Sequence, residues 1–338
     1  MSETIYSKEY MRKCYLCKHN DFTKVMTINP ANFSQNIKEF DIFRCSHCGL
    51  SEMTPFPKQY DIHEIYVNEN TFSKPFIGKN GHRASVHPHK NNIFFNILEP
   101  LYRKYGADDY FIVKTCYNMA SQKNSILDIG CSTGNLLGIF NRIHPQMKVA
   151  GIDIDPEAKK NAISSIKNNI IIGDFLVHKF ENKFDIIVMK FVIEHLLNFH
   201  DYIQKAVSLL NPGGILFIST PDFDSPKAKQ LNINWESINS PYLKTGHVRW
   251  FNKSSIEYLA NYYDLILEKC INRGEFIFHL PKWLQNILRT LFGTEKSGTH
   301  ERFIKYYTLR IIYIILFDGI LSTKLNYGEN IYAFMKKI

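Results

Sequence analysis

The chain has 338 residues, 45% of them hydrophobic, and a formal net charge of +9. This composition excludes a disordered protein and leaves enough apolar residues for one large domain or two to three smaller ones. The positive charge favours an anionic partner, such as a phosphate-bearing small molecule, a nucleic acid or a membrane surface. A Lys-, Asn- and Ile-rich composition also gives a positive charge without any functional demand, so the charge alone does not choose among them.

Cysteine usage and the start of the chain bear on the compartment. Seven cysteines, an odd number, argue against a secreted disulfide framework and for a reducing compartment. The start, MSETIYSKEYMRK, lacks the apolar core of a signal peptide, and the longest apolar run, 311–317, is too short to span a bilayer. We therefore expect a cytoplasmic protein, with peripheral contact to the inner face of the membrane left open.

Four cysteines in the first 60 residues form two CxxC pairs: Cys14, Cys17, Cys45 and Cys48. Two residues between paired cysteines let both thiolates converge on one tetrahedral ion, and Gly49 suits the turn that closes the second pair. Residues 22–28 and 40–43 are predicted as strands of a small ribbon that owes most of its folding free energy to the metal. We predict a zinc ribbon with four thiolates on a structural zinc. Redox-active CxxC turns are the alternative, and His19 or His47 could replace a cysteine.

Residues 61–119 are predicted as a helical linker that caps the core. A helix should begin near Pro88, because apolar residues then recur at helical spacing. The loop before it contains basic side chains that could bind phosphate or move a proton at the mouth of a site, although an ordinary polar loop is the alternative. These side chains are His82, Arg83, His87, His89 and Lys90.

The stretch SILDIGCSTGN, residues 125–135, is predicted as a buried strand, a glycine-rich turn and the start of an apolar helix. In open α/β sheets, ligands bind beyond the carboxyl ends of the strands, so a bare backbone here would admit a ligand against the helix N-terminus. Alone, such a turn is equally compatible with a tight connection between strand and helix.

Strands and helices then alternate regularly, which is typical of a doubly wound parallel sheet. Asp153 ends the second strand, about 20 residues after the glycine turn, and is placed to accept hydrogen bonds from both hydroxyls of a ribose. Asp174 and Phe175 follow the third strand, where they could hold an adenine by its amino group and ring face. The fourth strand leads into Glu194 and His195.

The motifs LDIGCSTGN, GIDID, GDF, FDIIVMKFVIEHL and LLNPGGILFIST occur in this order within residues 120–275. Together they resemble the class I S-adenosylmethionine-dependent methyltransferases, in the subgroup of ubiquinone-biosynthesis O-methyltransferases. The resemblance implies an α/β fold with a seven-stranded Rossmann-like sheet whose last strand is antiparallel. A nicotinamide-binding domain would show GxGxxG, whereas Asp128 stands at the first glycine position. The seven strands are expected at 125–129, 148–152, 169–172, 184–189, 215–220, 265–270 and 331–337.

The resemblance also implies S-adenosylmethionine as the cofactor. Asp128 would hold the amine region of its amino-acid part and Asp153 its ribose, while the glycine turn shapes the backbone around it. Cys131 is interpreted as a small packing residue rather than a nucleophile, because no base lies near it in the motif. The candidate cofactor-binding residues are Asp128, Gly130, Cys131, Ser132, Gly134, Asn135, Asp153, Ile154, Asp174, Phe175 and Lys190.

Methyl transfer to a hydroxyl requires a base that takes the acceptor's proton. His195 could be this base, with Glu194 orienting it, and His247 in the GHVRWF turn resembles a histidine that the subgroup places near its acceptor. Structural roles are the alternatives: a histidine bonded to backbone at a helix start, and one that ties down the loop 222–242. In the related ubiquinone enzymes the matching acid and histidine are associated with a divalent metal. Phe191 replaces a further acid here, so a catalytic magnesium is not expected.

A zinc ribbon joined to this core resembles methyltransferases of sugar and cell-surface polysaccharide biosynthesis, including nucleotide-sugar C-methyltransferases. We expect O-methylation of a sugar or nucleotide-sugar precursor, with C-methylation as an alternative. Arg249 and Lys244 could meet the pyrophosphate of a nucleotide sugar. RNA methylation would suit the ribbon and the charge, but the chain lacks an NPPY-type motif after the fourth strand and paired cysteines for cytosine, so nucleic acid is not the expected partner. A non-catalytic binding module is the alternative from another class.

Residues 276–330 are an insertion before the last strand, 331–338. Aromatic and aliphatic residues recur there at helical spacing, with lysines and arginines between them. We expect helices that form a lid over the acceptor pocket or a dimer surface, and contact with an anionic membrane face is the alternative. The sequence does not indicate an oligomeric state.

Overall fold

The computed structural model describes residues 13–28, 40–54, 100–101, 108–238, 246–275, 278, 280–292 and 312–338. The predicted histidine-rich loop and the helix expected near Pro88 lie outside these residues, as does Lys244. Much of the predicted insertion, 276–330, also lies outside them.

Two sheets organise the described residues. The smaller sheet consists of β1 (Phe22–Ile28), β2 (Phe40–Cys45), β3 (Ser51–Thr54) and β9 (Arg249–Trp250). The larger, seven-stranded sheet consists of β4 (Ser125–Ile129), β5 (Lys148–Asp153), β6 (Ile170–Ile172), β7 (Phe184–Lys190), β8 (Leu210–Pro221), β10 (Leu265–Arg273) and β11 (Asn330–Lys337).

The larger sheet has the strand order β10-β11-β8-β7-β4-β5-β6. The pairs from β8 through β7, β4 and β5 to β6 are parallel. The last strand, β11, is antiparallel to both of its neighbours, β8 and β10. The predicted seven-stranded α/β sheet with an antiparallel last strand is therefore confirmed.

The central strands are apolar because both faces of the sheet are covered. Ile187 and Met189 belong to one buried cluster, whereas Ile186 and Val188 belong to another. Alternate residues of a strand point to opposite faces, so the two clusters lie on the two sides of β7. Strands buried in this way have nearly continuous apolar sequences, as FDIIVMK does.

Helices connect the strands and cover the sheet. The helices are α1 (Asp108–Met119), α2 (Asn135–Ile143), α3 (Pro156–Lys160), α4 (Phe199–Leu209), α5 (Pro226–Leu231), α6 (Lys253–Tyr262), α7 (Lys282–Phe292) and α8 (Ser322–Leu325), and a π-helical segment, Ile314–Leu321, precedes α8. A capping box starts α6, in which the Ser255 amide donates to Asn252 Oδ1 and the Asn252 amide to Ser255 Oγ, both at 2.9 Å. Among the described helices, none is both long and apolar enough to cross a membrane.

The smaller sheet joins the cysteine-rich start to the larger unit. Its strand order is β1-β2-β3-β9, and β9 comes from the segment that follows β8 in the chain. Ser51 pairs with Trp250 and Glu52 with Arg249 in antiparallel register. The sequence did not predict β3 or β9, because each is too short to show strand periodicity.

Two predicted strands of the larger sheet are longer than expected. β8 begins at Leu210 rather than at residue 215, because Leu210 still pairs with Phe184 across a register shift between the two strands. β10 continues to Arg273 rather than ending at residue 270, because its partner strand β11 extends to Asn330.

Candidate cofactor and catalytic site

The turn between β4 and α2 requires glycine at two positions. Gly130 and Gly134 have φ angles of 72° and 76°, in the left-handed region, and Ser132 between them has φ 48°. A Cβ atom on Gly134 would lie 2.2 Å from Cδ1 of Ile166, and one on Gly130 would lie 2.6 Å from Cγ2 of Val192. The turn therefore requires residues without a side chain at these two positions. Its bare backbone lies at the carboxyl ends of β4 and β5.

Cys131 packs beneath this turn. Its amide donates to the carbonyl oxygen of Ile152 at 3.3 Å, and a Cβ atom on Gly151 would lie 2.7 Å from its Sγ. The side chain is buried, and burial raises the pKa of the thiol. This environment suits a packing residue rather than a nucleophile.

The backbone around the turn holds the carboxylate of Asp153. Its Oδ2 accepts a hydrogen bond from the Ser132 amide at 2.7 Å, and its Oδ1 accepts one from the Asp155 amide at 2.9 Å. Burial raises the pKa of Asp153, while these two amides act in the opposite direction. Each oxygen can accept a further hydrogen bond, so the fixed carboxylate is suited to a pair of ribose hydroxyls.

Asp128, at the carboxyl end of β4, is also buried, but its Oδ1 accepts no such hydrogen bond from a described residue. Its Oδ1 has no hydrogen-bond partner among the described residues, and the residue is 4% exposed. Burial raises its pKa to about 8, while Lys190 lowers it and Asp109 and Asp153 raise it further. A buried carboxylate of this kind is stabilised by a donor, preferably a cation, that binds from outside the chain. Asp128 therefore fits the amine of an amino-acid group.

Lys190, one of the predicted cofactor-binding residues, forms an ion pair with Asp109 in the first turn of α1. The neighbouring Asp108 accepts a hydrogen bond from Nε of Arg273 at 3.1 Å. The start of α1 is thus tied to β7 and to β10, close to Asp128. The sequence did not single out Asp109, because two acids in the first turn of a helix are ordinary there.

Asp174 and Phe175 lie just beyond the carboxyl end of β6, and both have contacts within the protein. Asp174 Oδ1 accepts hydrogen bonds from the Leu176 amide at 2.7 Å and from the Tyr202 hydroxyl at 3.4 Å. The Phe175 ring is 3% exposed and lies 5.5 Å, centroid to centroid, from the ring of Tyr202. The ring packs against the protein, and stacking of Phe175 on an adenine stays a prediction. Ile154, 44% exposed, is an apolar side chain next to Asp153 that is accessible to a ligand.

Asn135 is the first residue of α2 and is exposed. It follows Gly134, so its side chain lies at the N-terminus of the helix that the glycine turn opens. This position is compatible with the predicted contact to a cofactor, since helix N-termini present unpaired amides and favour negative groups.

The three predicted catalytic residues lie together. Glu194 and His195 form a short 3₁₀ turn beyond β7, and His247 comes just before β9. The two imidazole rings are 4.6 Å apart, centroid to centroid, in an edge-to-face arrangement. One ligand atom from each of the three side chains lies within 4.8 Å of the other two. The structure thus brings the acid and both histidines into one cluster.

Two oxygens of Ser237 lie within hydrogen-bond distance of Nδ1 of His247. Its Nδ1 lies 2.9 Å from Oγ and 3.1 Å from the carbonyl oxygen of Ser237. Trp250 Nε1 donates to the same carbonyl oxygen at 3.0 Å. A carbonyl oxygen can only accept, so Nδ1 carries the proton when it bonds to this oxygen, and Nε2 is left as the acceptor. Ser237 was not predicted, because a serine ten residues before the histidine has no motif.

The cluster of Glu194, His195 and His247 could also hold a cation. Two imidazoles and one carboxylate are a donor set that suits a transition metal better than magnesium, which prefers oxygen ligands. The carboxylate is 1% exposed and His247 is 8% exposed, so either a proton or a metal ion would act in a desolvated environment.

Arg249 has a different role from the predicted one. Its Nε donates to Glu52 Oε1 at 2.8 Å, one Nη donates to the Leu196 carbonyl oxygen, and the side chain is 1% exposed. A buried guanidinium with these partners cannot meet the pyrophosphate of a nucleotide sugar. The prediction of a basic fork at Arg249 and Lys244 is therefore wrong for Arg249, and Lys244 lies outside the described residues.

The four cysteines of the CxxC pairs form a separate buried cluster. The Sγ atoms of Cys14 and Cys48 are 3.5 Å apart, those of Cys17 and Cys45 are 3.4 Å apart, and all four lie within 4.8 Å of one another. A zinc ion with bonds of about 2.3 Å holds its four sulfurs about 3.8 Å apart. The thiols therefore fit tetrahedral zinc. The rings of His19 and His47 stack on each other at 3.7 Å, and the four sulfurs complete the donor set without them.

Comparison with known proteins supports one class of enzyme. Residues 110–268 match a family model described as methyltransferase domain. A ubiquinone biosynthesis O-methyltransferase of Rhodopseudomonas palustris (strain TIE-1) is 28% identical over 160 residues, which are 45% of this chain and 58% of that protein. A trans-aconitate 2-methyltransferase of Escherichia coli (strain 55989 / EAEC) is 25% identical over 146 residues, 42% of this chain and 54% of that protein.

A solved structure, that of the plantazolicin methyltransferase BpumL in complex with SAH, has a TM-score of 0.44 and 16% identity and covers 72% of this chain and 87% of that chain. The chain spans little more than half the length of the curated relatives named above. The domain match and these relatives support an S-adenosylmethionine-dependent methyltransferase, the class that the ordered motifs resemble.

Proposed function

We propose that the chain transfers a methyl group from S-adenosylmethionine to a hydroxyl of a sugar or nucleotide-sugar precursor of cell-surface polysaccharide. The observation that carries the cofactor part is the buried Oδ1 of Asp128, which has no hydrogen-bond partner among the described residues and lies beside the glycine turn. A cationic amine would supply the donor that this atom lacks. The family match over 110–268 supports the same type of reaction.

S-adenosylmethionine supplies an electrophilic methyl group on a sulfonium when it is bound. Asp128 would bind the amine of its amino-acid part, and Asp153 would accept hydrogen bonds from the ribose hydroxyls. The Ser132 and Asp155 amides fix the carboxylate of Asp153, so little freedom is lost when the ribose binds. Holding the reactants in line accounts for much of the rate in such a displacement.

The histidine pair would remove the proton of the acceptor hydroxyl. The Ser237 carbonyl leaves Nε2 of neutral His247 as the unprotonated nitrogen, so His247 can accept a proton without changing its tautomer. Its edge-to-face neighbour His195 is the other candidate for the base. Glu194 would stabilise the imidazolium that forms, because a carboxylate nearby favours the charged form of a histidine.

Two resemblances support a sugar hydroxyl as the acceptor. A cysteine-rich ribbon joined to this core resembles methyltransferases of sugar and polysaccharide biosynthesis, some of which methylate carbon. The relative from Rhodopseudomonas palustris is named an O-methyltransferase, which favours oxygen as the acceptor atom. C-methylation of a nucleotide sugar is the second candidate.

Mass spectrometry tests the acceptor. The purified chain is incubated with S-adenosylmethionine and a panel of nucleotide sugars, and we expect one of them to gain a single methyl group. NMR of the product then distinguishes a methyl ether from a methyl on carbon. Methylation of RNA alone, with polynucleotide affinity that falls steeply with salt, would contradict the sugar proposal. His247→Gln serves as the control, since it should lose transfer and keep cofactor affinity.

We also propose that α7, a helix of the insertion predicted at 276–330, covers the acceptor side of the site. Gln285 of α7 and Gln230 of α5 exchange hydrogen bonds through their side-chain amides, at 3.1 and 3.4 Å. These bonds join α7 to α5, which ends at Leu231, six residues before Ser237 in the chain. Hydrogen exchange of α7 with and without S-adenosylhomocysteine tests this, because a cover should gain protection when the site is filled.

A further inference from the structure

A buried ion pair joins the cysteine ribbon to the segment that carries His247. Nε of Arg249 donates to Oε1 of Glu52 at 2.8 Å, and the two side chains are 1% and 7% exposed. The other oxygen of Glu52, Oε2, accepts a hydrogen bond from the amide of Tyr15 at 3.2 Å. Glu52 thus connects the first CxxC turn, strand β3 and strand β9 through one carboxylate.

The same segment is bonded to the turn that carries His195. The Val248 amide donates to the carbonyl oxygen of Glu194 at 3.0 Å, and Arg249 donates to the carbonyl oxygen of Leu196. On the ribbon side, the Met53 amide donates to the Val248 carbonyl oxygen at 3.3 Å. Val248 and Arg249 are therefore bonded both to the turn that carries His195 and to the ribbon.

Aromatic rings enclose the guanidinium of this ion pair. Cζ of Arg249 lies 4.3 Å from the ring centroid of Tyr15 and 5.2 Å from that of Phe199. The Tyr15 carbonyl oxygen in turn lies 2.9 Å from Nε2 of His200 on α4. An arginine buried in this way is costly to leave without its carboxylate, so loss of Glu52 should shift the arginine and the backbone that it holds.

We propose that Glu52 is a positioning residue for the histidine pair, which it holds in place through Arg249. The cysteine ribbon then has a catalytic purpose: it presents Glu52 and Tyr15 to the segment 247–249. This inference rests on the proposed function, in which His195 and His247 act on the acceptor. A displacement of about 1 Å of such groups can lower a rate about 100-fold, so a contact remote from the reacting atoms can matter this much.

The test compares Glu52→Gln with a matched control in the same ribbon. Glu52→Gln keeps the shape of the side chain and removes its charge. Asp41→Asn removes a charge from the partly exposed ion pair that Asp41 forms with Lys24 at 2.7 Å between β1 and β2. The ring Cε1–Hε1 NMR signals of His195 and His247, assigned with His→Gln variants, report the local environment, while bound zinc and affinity for S-adenosylhomocysteine report the fold.

In Glu52→Gln we expect the ring signals of both histidines to move or broaden. Methyl transfer to the acceptor found by mass spectrometry should fall about 10- to 100-fold, with affinity for S-adenosylhomocysteine within about twofold of the original. Asp41→Asn should change neither. Arg249→Lys is the second variant, because a lysine keeps the charge but cannot bond to Glu52 and Leu196 through two different nitrogens; it should move the same signals.

Unchanged ring signals in both Glu52→Gln and Arg249→Lys would overturn the proposal. So would a loss of zinc, cofactor affinity and transfer together in both variants, since this would show a role in global folding only. If the original chain does not bind S-adenosylhomocysteine, the proposed function fails, but the ring signals still decide whether Glu52 positions the two histidines.

Discussion

At the residue scale, the two acids at the ends of β4 and β5 are held in different ways. Asp153 accepts two backbone hydrogen bonds from the loop around it, whereas Oδ1 of Asp128 has no partner among the residues that the structure describes. Asp153 is therefore ready to accept hydroxyls, and Asp128 is ready to accept a cation. We therefore expect substitutions of Asp128 and Asp153 to affect cofactor binding in different ways.

Cofactor affinity should depend on pH through Asp128. Burial raises its pKa to about 8, so below that pH the carboxyl is protonated and neutral and cannot pair with an amine. Affinity for S-adenosylhomocysteine should therefore rise by roughly tenfold from about pH 6 to about pH 8.5, measured by calorimetry. Asp128→Asn should bind more weakly and show a flatter profile. An equally steep profile in the variant would mean that another group is responsible.

Asp153→Ala should weaken binding of S-adenosylhomocysteine by at least one to two orders of magnitude, because even one hydrogen bond to a charged group contributes about 1.5–3 kcal/mol. Isothermal calorimetry measures the change. Asp155→Asn is the matched control: it removes a charge two residues away and keeps an N-cap for α3, which the Asp155 side chain now provides by accepting from the Glu157 amide at 2.9 Å. Equal affinity in Asp153→Ala and the original chain would refute the ribose assignment.

At the element scale, one lysine holds several segments together. Nζ of Lys227 on α5 lies 2.9 Å from a carboxylate oxygen of Glu275 and 2.6 Å from one of Glu329, and it also pairs with Glu236. Burial alone would lower the pKa of Lys227, but the three carboxylates raise it. Glu236 is next to Ser237, so this network fixes the loop that orients His247.

Replacing this lysine should destabilise the fold. Lys227→Met leaves three carboxylates together without a cation. Because Glu236 is largely exposed and Glu275 partly exposed, we expect a loss of about 2 kcal/mol in the free energy of unfolding. The network stabilises only ionised carboxylates, so the deficit should be largest near neutral pH and shrink on acidification. Denaturant melts at both conditions measure it. The exposed Lys229→Met on the same helix is the control, and an equal loss there would remove the network from the explanation.

Zinc should be required for the smaller sheet. Cys45→Ser removes one of the four sulfurs, so bound zinc should fall from one per chain to almost none, and the pairing of β3 with β9 should be lost with it. Elemental analysis gives the metal content. Cys270→Ser on β10 is the control, because Cys270 lies outside the cluster. A Cys45→Ser protein that keeps its full zinc content would exclude a site made of four thiolates.

The sequence predicts elements where the physical signal is local. Apolar runs that lead into Asp128, Asp153 or Asp174 mark strands whose carboxyl ends meet at one edge, and this was enough to predict the larger sheet and the glycine turn. The two CxxC pairs were likewise enough to predict that four thiols converge. Phe175 shows the limit of this reasoning, because the order of residues does not tell whether a ring faces a ligand or the protein interior.

Long-range partners could not be predicted in the same way. Glu52 and Arg249 are 197 residues apart in the chain and meet only because β3 pairs with the two-residue strand β9. From the sequence alone, Arg249 was interpreted as a phosphate ligand, because the residues next to it in the chain do not indicate a buried carboxylate partner. Asp109 and Ser237 are similar cases: their roles come from packing against Lys190 and His247 and not from a motif.

At the scale of the whole molecule, the ribbon and the larger sheet share a structural element rather than lying side by side. β9 belongs to the smaller sheet, while the residue next to it, Phe251, bridges to Asp222 just beyond β8 of the larger one. The histidine cluster lies at this junction, and Asp128 and Asp153 lie at the carboxyl ends of β4 and β5. The proposed methyl donor and the proposed base would therefore approach the acceptor from two parts of the molecule that the ribbon helps to align.

The most direct test of this account is a calorimetric titration of the full, zinc-loaded chain with S-adenosylmethionine. The arrangement of Asp128, Asp153 and the glycine turn predicts saturable binding of one molecule per chain, with a large loss of affinity in Asp128→Ala. A folded chain that shows neither heat nor a thermal shift with S-adenosylmethionine would contradict the assignment of the site.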